Sequence, residues 1–175
     1  VDSFAGIGNA KAVNKALERL VKSGALERAA TGVYVRPVTD GHLGKVLPGP
    51  EDIAAAIAKR DRATIVPTGS YAMYKLGLTT QVPLNLVYYT DASARKIKVG
   101  KQVITFKKAS AKYLSFIGGI SQLAIQALRE IGQGRVTAQE VAHLKKVLEN
   151  EQPGRLEHDL RLAPVWIRKL MTAHG

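Results

Sequence analysis

Between residues 10 and 22 apolar side chains return every three or four positions. Val13, Ala16, Leu17, Leu20 and Val21 line one side, while Lys11, Asn14, Lys15, Glu18 and Lys22 fall on the other. That spacing predicts an amphipathic helix. Asn9 stands where a side-chain oxygen can accept from first-turn amides, and Gly24 where a left-handed residue stops a helix. The period then changes. Residues 26–29 and 33–36 read as two short strands, with Thr31-Gly32 as the turn and Pro37 ending the second.

Residues 37–50 hold three prolines and three glycines with little periodicity. They read as a linker or a strongly turned connection. Residues 51–60 form a helix with acids in the first turn and bases in the last, as the helix dipole favours. A short strand is expected at 63–66, a short helix at 70–76 ended by Gly77, and a buried-type strand at 84–89. The C-terminal third is helical over 121–131, 137–149 and about 156–170, with Pro164 bending or restarting the last segment. Thr137 and Glu140 have the spacing of a capping box. The expected fold class is α+β: an N-terminal winged helix-turn-helix over 1–37, partly missing, a linker over 38–50, and a mixed C-terminal domain over 51–175 ending in a helical bundle. Residues 1–8 offer only one turn of possible helix, so the first helix of the N-terminal unit is expected to lie upstream of Val1.

Charge sharpens this picture. The chain has 175 residues and a formal net charge of +12, and residues 95–113 carry seven lysines and arginines with no acid. Lys96 and Lys98 alternate with Ile97 and Val99, Gly100-Lys101 suits a two-residue turn, and alternation resumes through Phe106 to Lys107 and Lys108. A hairpin over 95–108 with one basic face follows. Lysines on an edge strand also deter edge-to-edge pairing. Seven positive charges without a negative one exceed that task, which favours contact with a polyanion.

A helix-then-hairpin unit suggests the polyanion. A helix fits the major groove of DNA and its exposed N-terminal half reaches base edges. Asn9, Lys11, Asn14 and Lys15 are the helix residues placed to do so, with Arg28, Thr31 and Arg36 at the hairpin and Arg95, Lys96, Lys98, Lys101, Lys107 and Lys108 as phosphate contacts. An ordinary surface helix packed on a hairpin gives the same pattern without DNA. RNA binding through the basic hairpin is the alternative; base-reading sheets usually display aromatics, and this segment offers only Phe106, on the apolar side.

Little else resembles chemistry. The absence of cysteine removes disulfides, thiolate metal sites and cysteine nucleophiles, and fits the cytoplasm. His42, His143, His158 and His174 are scattered, so no metal site is expected. Thr68-Gly69-Ser70 is faintly like a phosphate-holding turn of nucleotidyltransferases, but Asp91 has no carboxylate partner nearby. Thr68 or Ser70 is read as a helix cap. Tyr71, Tyr74, Tyr88, Tyr89 and Tyr113 are read as core. No catalytic residue, cofactor or membrane span is expected.

The order GNAKAVNKALERLVKSGALERAATGVYVRP, VPTGSYAMYKLGLTTQVPLNLVYYTDASARKIKVG and LAPVWIRKLM resembles the AbiEi-type antitoxins of bacterial abortive-infection systems. The resemblance implies a winged helix-turn-helix followed by an antitoxin domain. It implies binding to repeats in double-stranded promoter DNA of the chain's own operon, hence autorepression. It further implies counteraction of a nucleotidyltransferase-like toxin, often without a stable complex. By position, Lys11, Asn14 and Lys15 match the recognition helix, Arg28 and Tyr34 the wing, and Arg95, Lys96 and Lys98 the basic surface of the second domain.

Overall fold

The computed structural model describes residues 6–42 and 44–172. The fold is α+β. Among the described residues, eight helices accompany eight short strands, which form two two-stranded hairpins and one four-stranded sheet. The chain start read as one turn of helix, and His174, lie largely or wholly outside these residues.

Helix α1 (Ala10–Lys22) begins as its sequence dictates. The Asn9 side chain accepts from the Ala12 amide at 2.8 Å. Its end is closed by the Gly24 amide donating to the Val21 carbonyl at 3.0 Å. Strands β1 (Glu27–Ala30) and β2 (Val33–Val35) pair antiparallel, with an irregularity between Arg28 and Ala30. Gly32 takes φ +73° in the turn, a conformation that costs a residue with a Cβ.

The supposed linker is more ordered than its composition suggests. Strands β3 (Val38–Asp40) and β4 (Gly44–Val46) pair as a second hairpin. The prolines bracket this hairpin instead of interrupting it, and Asp40 Oδ1 accepts from the His42 amide at 2.8 Å to hold the turn.

After α2 (Pro50–Asp61), strands β5 (Ile65–Thr68), β6 (Asn85–Thr90), β7 (Arg95–Val99) and β8 (Gln102–Lys108) form a sheet in the order β5-β6-β8-β7. The β6–β8 pair is parallel and the other two pairs are antiparallel. The first strand falls two residues beyond its expected place, so that Pro67 lies on the edge strand β5, where a missing donor is tolerated.

Because side chains alternate along a strand, the register divides the sheet into two sides. On one, Leu86, Tyr88, Ile104 and Phe106 pack against Ile53, Ala54 and Ile57 of α2. Ala29, Val33 and Val35 of the first hairpin join the same cluster. On the other side, α4 (Ala111–Leu114) and α5 (Gly119–Ile131) lie over β5 and β6. A second core surrounds α5, where Ile125 and Leu128 meet Leu144 of α6 (Ala138–Leu148) and Ile167 of α8 (Val165–Thr172), with Leu156 of α7 (Pro153–Leu162) against it. The capping box forms as expected, the Thr137 hydroxyl accepting from the Glu140 amide at 3.2 Å and the Glu140 carboxylate from the Thr137 amide at 2.7 Å. Pro164 separates α7 from α8.

The start of α5 is held from a distance. Its N-cap, Gly118, has no side chain to offer. Asp159, fully buried, accepts from the Ile117 and Gly118 amides at 2.9 and 3.0 Å and from the Ser121 hydroxyl at 2.5 Å. Glu151 accepts from the Ile120 and Ser121 amides at 2.7 and 3.1 Å. Burial opposes ionisation of Glu151, yet these amides, the Gln152 amide and the charge of Arg155 hold its carboxyl below its ordinary value.

Candidate nucleic-acid interface

Two basic surfaces emerge, and the sheet lies between them. The first is α1. Leu17 is its one fully buried side chain, lining a groove of about 440 Å³ with Val33, Val35, Ile53 and Ile57. Lys11 and Lys15 are exposed on the side away from Leu17, and Asn14, three residues before Leu17, is exposed on the flank nearer to it. Arg19 and Lys22, neither of them among the expected DNA contacts, continue the stripe of Lys11 and Lys15 and are exposed. Helical spacing from Lys15 was enough to find them. One charge is offset: Lys15 pairs with Glu18 at 3.6 Å, an exposed contact of small energetic weight. Asn9 is committed to its cap. Arg28, Thr31 and Arg36 are exposed along the first hairpin, and Tyr34 is half-buried beside the groove.

The second surface is the β7–β8 hairpin. Lys96 pairs with Thr105 and Lys98 with Val103, while Lys107 lies two residues beyond Thr105 on the same side. These three lysines therefore rise from one side of the sheet, and all are exposed. Arg95 does not belong with them. Strand parity turns it to the opposite side, where it lies over the Phe106 ring at 5.3 Å and pairs with Asp61. Hydrogen bonding from Arg60, against the opposing effect of burial and with help from Arg95, holds the Asp61 carboxyl below its ordinary value. Lys108 shares the parity of Phe106, and Lys101 sits in the turn; both are exposed.

The lysine side continues onto aromatic side chains. Tyr89 pairs with Lys107 in the β6–β8 register and so projects from the lysine side. Its ring meets Tyr113 of α4 at 5.4 Å, and the Arg129 guanidinium of α5 lies over Tyr113 at 4.4 Å. All three are half-buried. By contrast, Tyr71 and Tyr88 are core residues, 5.5 Å apart, with Phe106 stacked on Tyr88 at 5.9 Å. Burial pushes both hydroxyls up, that of Tyr88 to about 12, so they stay neutral.

The chain matches one family profile over residues 1–156, described as "Family of unknown function (DUF6088)". The chain belongs to that family. No curated protein and no solved structure matches it. Family membership thus brings no activity with it, and the surfaces of this DUF6088 member carry the functional argument.

Other chemistry finds little footing in the DUF6088 fold. Among the described residues no three His, Asp or Glu side chains gather where they could hold a metal ion. Asp91 accepts from the Thr64 amide at 2.9 Å, a structural bond. Neither Thr68 nor Ser70 caps α3 (Ser70–Lys75). The N-cap is Gly69 at φ +64°, and the Thr68 hydroxyl turns instead to Gln126 Oε1 at 3.4 Å. Thr68 ends its strand facing α5, so its side chain points away from the first-turn amides. No described helix is long and apolar enough to cross a membrane.

Proposed function

We propose that this chain is a DNA-binding autorepressor and antitoxin, with α1 as recognition helix and β1–β2 as wing of a winged helix-turn-helix. The observation that carries the DNA part is the exposure of Lys11 and Lys15 on the side of α1 away from its buried anchor Leu17, with Asn14 exposed on the flank between them and the anchor. With Leu17 turned into the groove it shares with the hairpin and α2, the N-terminal polar half of α1 stays free to enter a major groove. There lysine suits guanine acceptors and asparagine suits adenine. Arg28, Thr31 and Arg36 are placed to hold phosphates on either side.

The antitoxin part rests on the sequence resemblance, from the PTG and QVP segments through RKIK. It takes as functional partner a nucleotidyltransferase-like toxin encoded with the chain, in the cytoplasm, without catalysis by the chain itself. The test has two arms. Fluorescence anisotropy on the chain's own promoter should show sequence preference and a steep fall of affinity with salt, and Lys11→Ala with Asn14→Ala should erase that preference, each lost base contact costing about 1–3 kcal/mol. Co-expression with the neighbouring toxin gene should restore growth. Equal affinity for promoter and random duplex would refute the regulatory part, and absence of rescue the antitoxin part.

A further inference from the structure

The lysine side of the sheet and the α1 surface are built on different elements. The β1–β2 hairpin packs into the cluster formed by Leu86, Tyr88, Ile104 and Phe106 with α2, whereas Lys96, Lys98 and Lys107 project from the reverse side of the same strands. The two surfaces are distinct, although β1 approaches the edge strand β7 from which Lys96 and Lys98 rise. The lysine surface is therefore considered for a ligand of its own.

We propose that this ligand is single-stranded nucleic acid, bound across the open half of the sheet from Lys98 to Arg129. Three features select it. First, charge: residues 92–129 contain eight lysines and arginines and no aspartate or glutamate. Among the described residues Lys96, Lys98 and Lys107 have no ion-pair partner, so phosphates over the hairpin meet no competing carboxylate there; the exposed Glu130 follows Arg129 at the far end. Second, spacing: Lys96 and Lys98 lie two residues apart on one strand, about 7 Å. That is comparable to the repeat of successive phosphates along an extended single strand. Third, stacking: the floor ends at a wall formed by α4 and α5, where the Tyr89 ring meets Tyr113 at a tilt of 53° and the Arg129 guanidinium lies over Tyr113. Arg129 has no acid to pair with among the described residues, and its Nε has no hydrogen-bond partner. Its guanidinium lies over the Tyr113 ring with Nε buried, and the side chain as a whole is half-exposed, so the exposed part of that group is what a base would meet. Unpaired bases stack on aromatic and guanidinium planes, whereas the bases of a duplex are already stacked on one another. A surface meant only for duplex phosphates gains nothing from this wall.

Exposed Asn85 extends the floor, its side chain held by the buried Thr105 hydroxyl, which donates to it at 2.7 Å. Asn85 is polar without charge, which suits a ribose or deoxyribose equally. The site therefore recognises backbone and base plane, and the comparison of RNA with DNA is left to measurement.

The experiment is anisotropy of a labelled unstructured 16-mer, as oligo(U) and as oligo(dT), against the full chain, with a mixed-sequence duplex of equal length as competitor. Wild type should bind at least one single strand, with a salt slope near that of three neutralised phosphates, about −2 in log–log form. Lys96→Ala with Lys98→Ala should flatten that slope by more than half. Arg129→Lys, which keeps the charge and removes the plane, should weaken binding about fivefold or more without changing the slope. Circular dichroism on each variant separates loss of binding from loss of fold. Lys11→Ala with Asn14→Ala should leave single-strand affinity intact. Should those α1 substitutions abolish it, should the duplex displace the strand at equal concentration, or should Arg129→Lys bind as wild type does, the proposal is overturned. Tight single-strand binding with no promoter preference would retain it while removing the autorepressor reading, so the two fail separately.

Discussion

Gly118 sits where even a methyl group has no room. A Cβ added there would lie 2.0 Å from the Ser121 hydroxyl oxygen, 2.7 Å from Glu151 Oε2 and 2.9 Å from Asp159 Oδ2. Its φ of −88° is open to any residue, so the constraint is space and not backbone conformation. Gly118→Ala should push both carboxylates off the start of α5, strand buried amides, and cost about 2–3 kcal/mol; urea denaturation followed by circular dichroism measures it. The same clamp sets an acid limit. Glu151 is depressed below its ordinary 4.5 in the folded chain, so its contribution is complete above that value and is lost as the pH falls through the lower folded value. Stability of the wild type should therefore decline below about pH 4.5 more steeply than that of Glu151→Gln, and thermal melts across pH 3–6 should show the two curves converging in acid.

Among the elements, α6 gives the cleanest local test. Thr137 and Glu140 satisfy each other's amides reciprocally, and Thr137→Ala should cost about 1 kcal/mol, read from the same urea midpoints. This box was legible in the sequence because its partners are three residues apart. So were α1, α2 and the β7–β8 hairpin, whose periods of 3.6 and 2 run long enough to count. The β3–β4 hairpin was not, since a turn-rich composition hides three-residue strands, and α4 is a single turn. The clamp on α5 was illegible for another reason: Asp159 and Glu151 reach back thirty to forty-two residues, and nothing local marks them. Arg95 is a different case. Strand alternation alone places it opposite Lys96, so grouping it with the lysines overlooked a rule already in hand. Tyr89, Tyr113 and Arg129 meet only through the fold, each being unremarkable in its own segment.

On the scale of the whole molecule, the sheet is a partition with cations on both sides. The Lys11–Lys15–Arg19–Lys22 stripe belongs to the side carrying α2 and the first hairpin, and Lys96, Lys98 and Lys107 to the other. If both surfaces bind as proposed, one copy of the chain is a two-headed connector. Mixed with long single-stranded nucleic acid bearing duplex hairpins, it should join separate strands into networks. Turbidity should then pass through a maximum near charge balance and disappear at excess protein, when each head finds its own strand. Salt should dissolve the networks, since the links are counterion-exchanged contacts. Removing either head, by Lys11→Ala with Lys15→Ala or by Lys96→Ala with Lys98→Ala, should abolish the turbidity while leaving the other head able to bind. A turbidity maximum that survives both pairs of substitutions would mean that diffuse net charge, and not two opposed surfaces, does the joining.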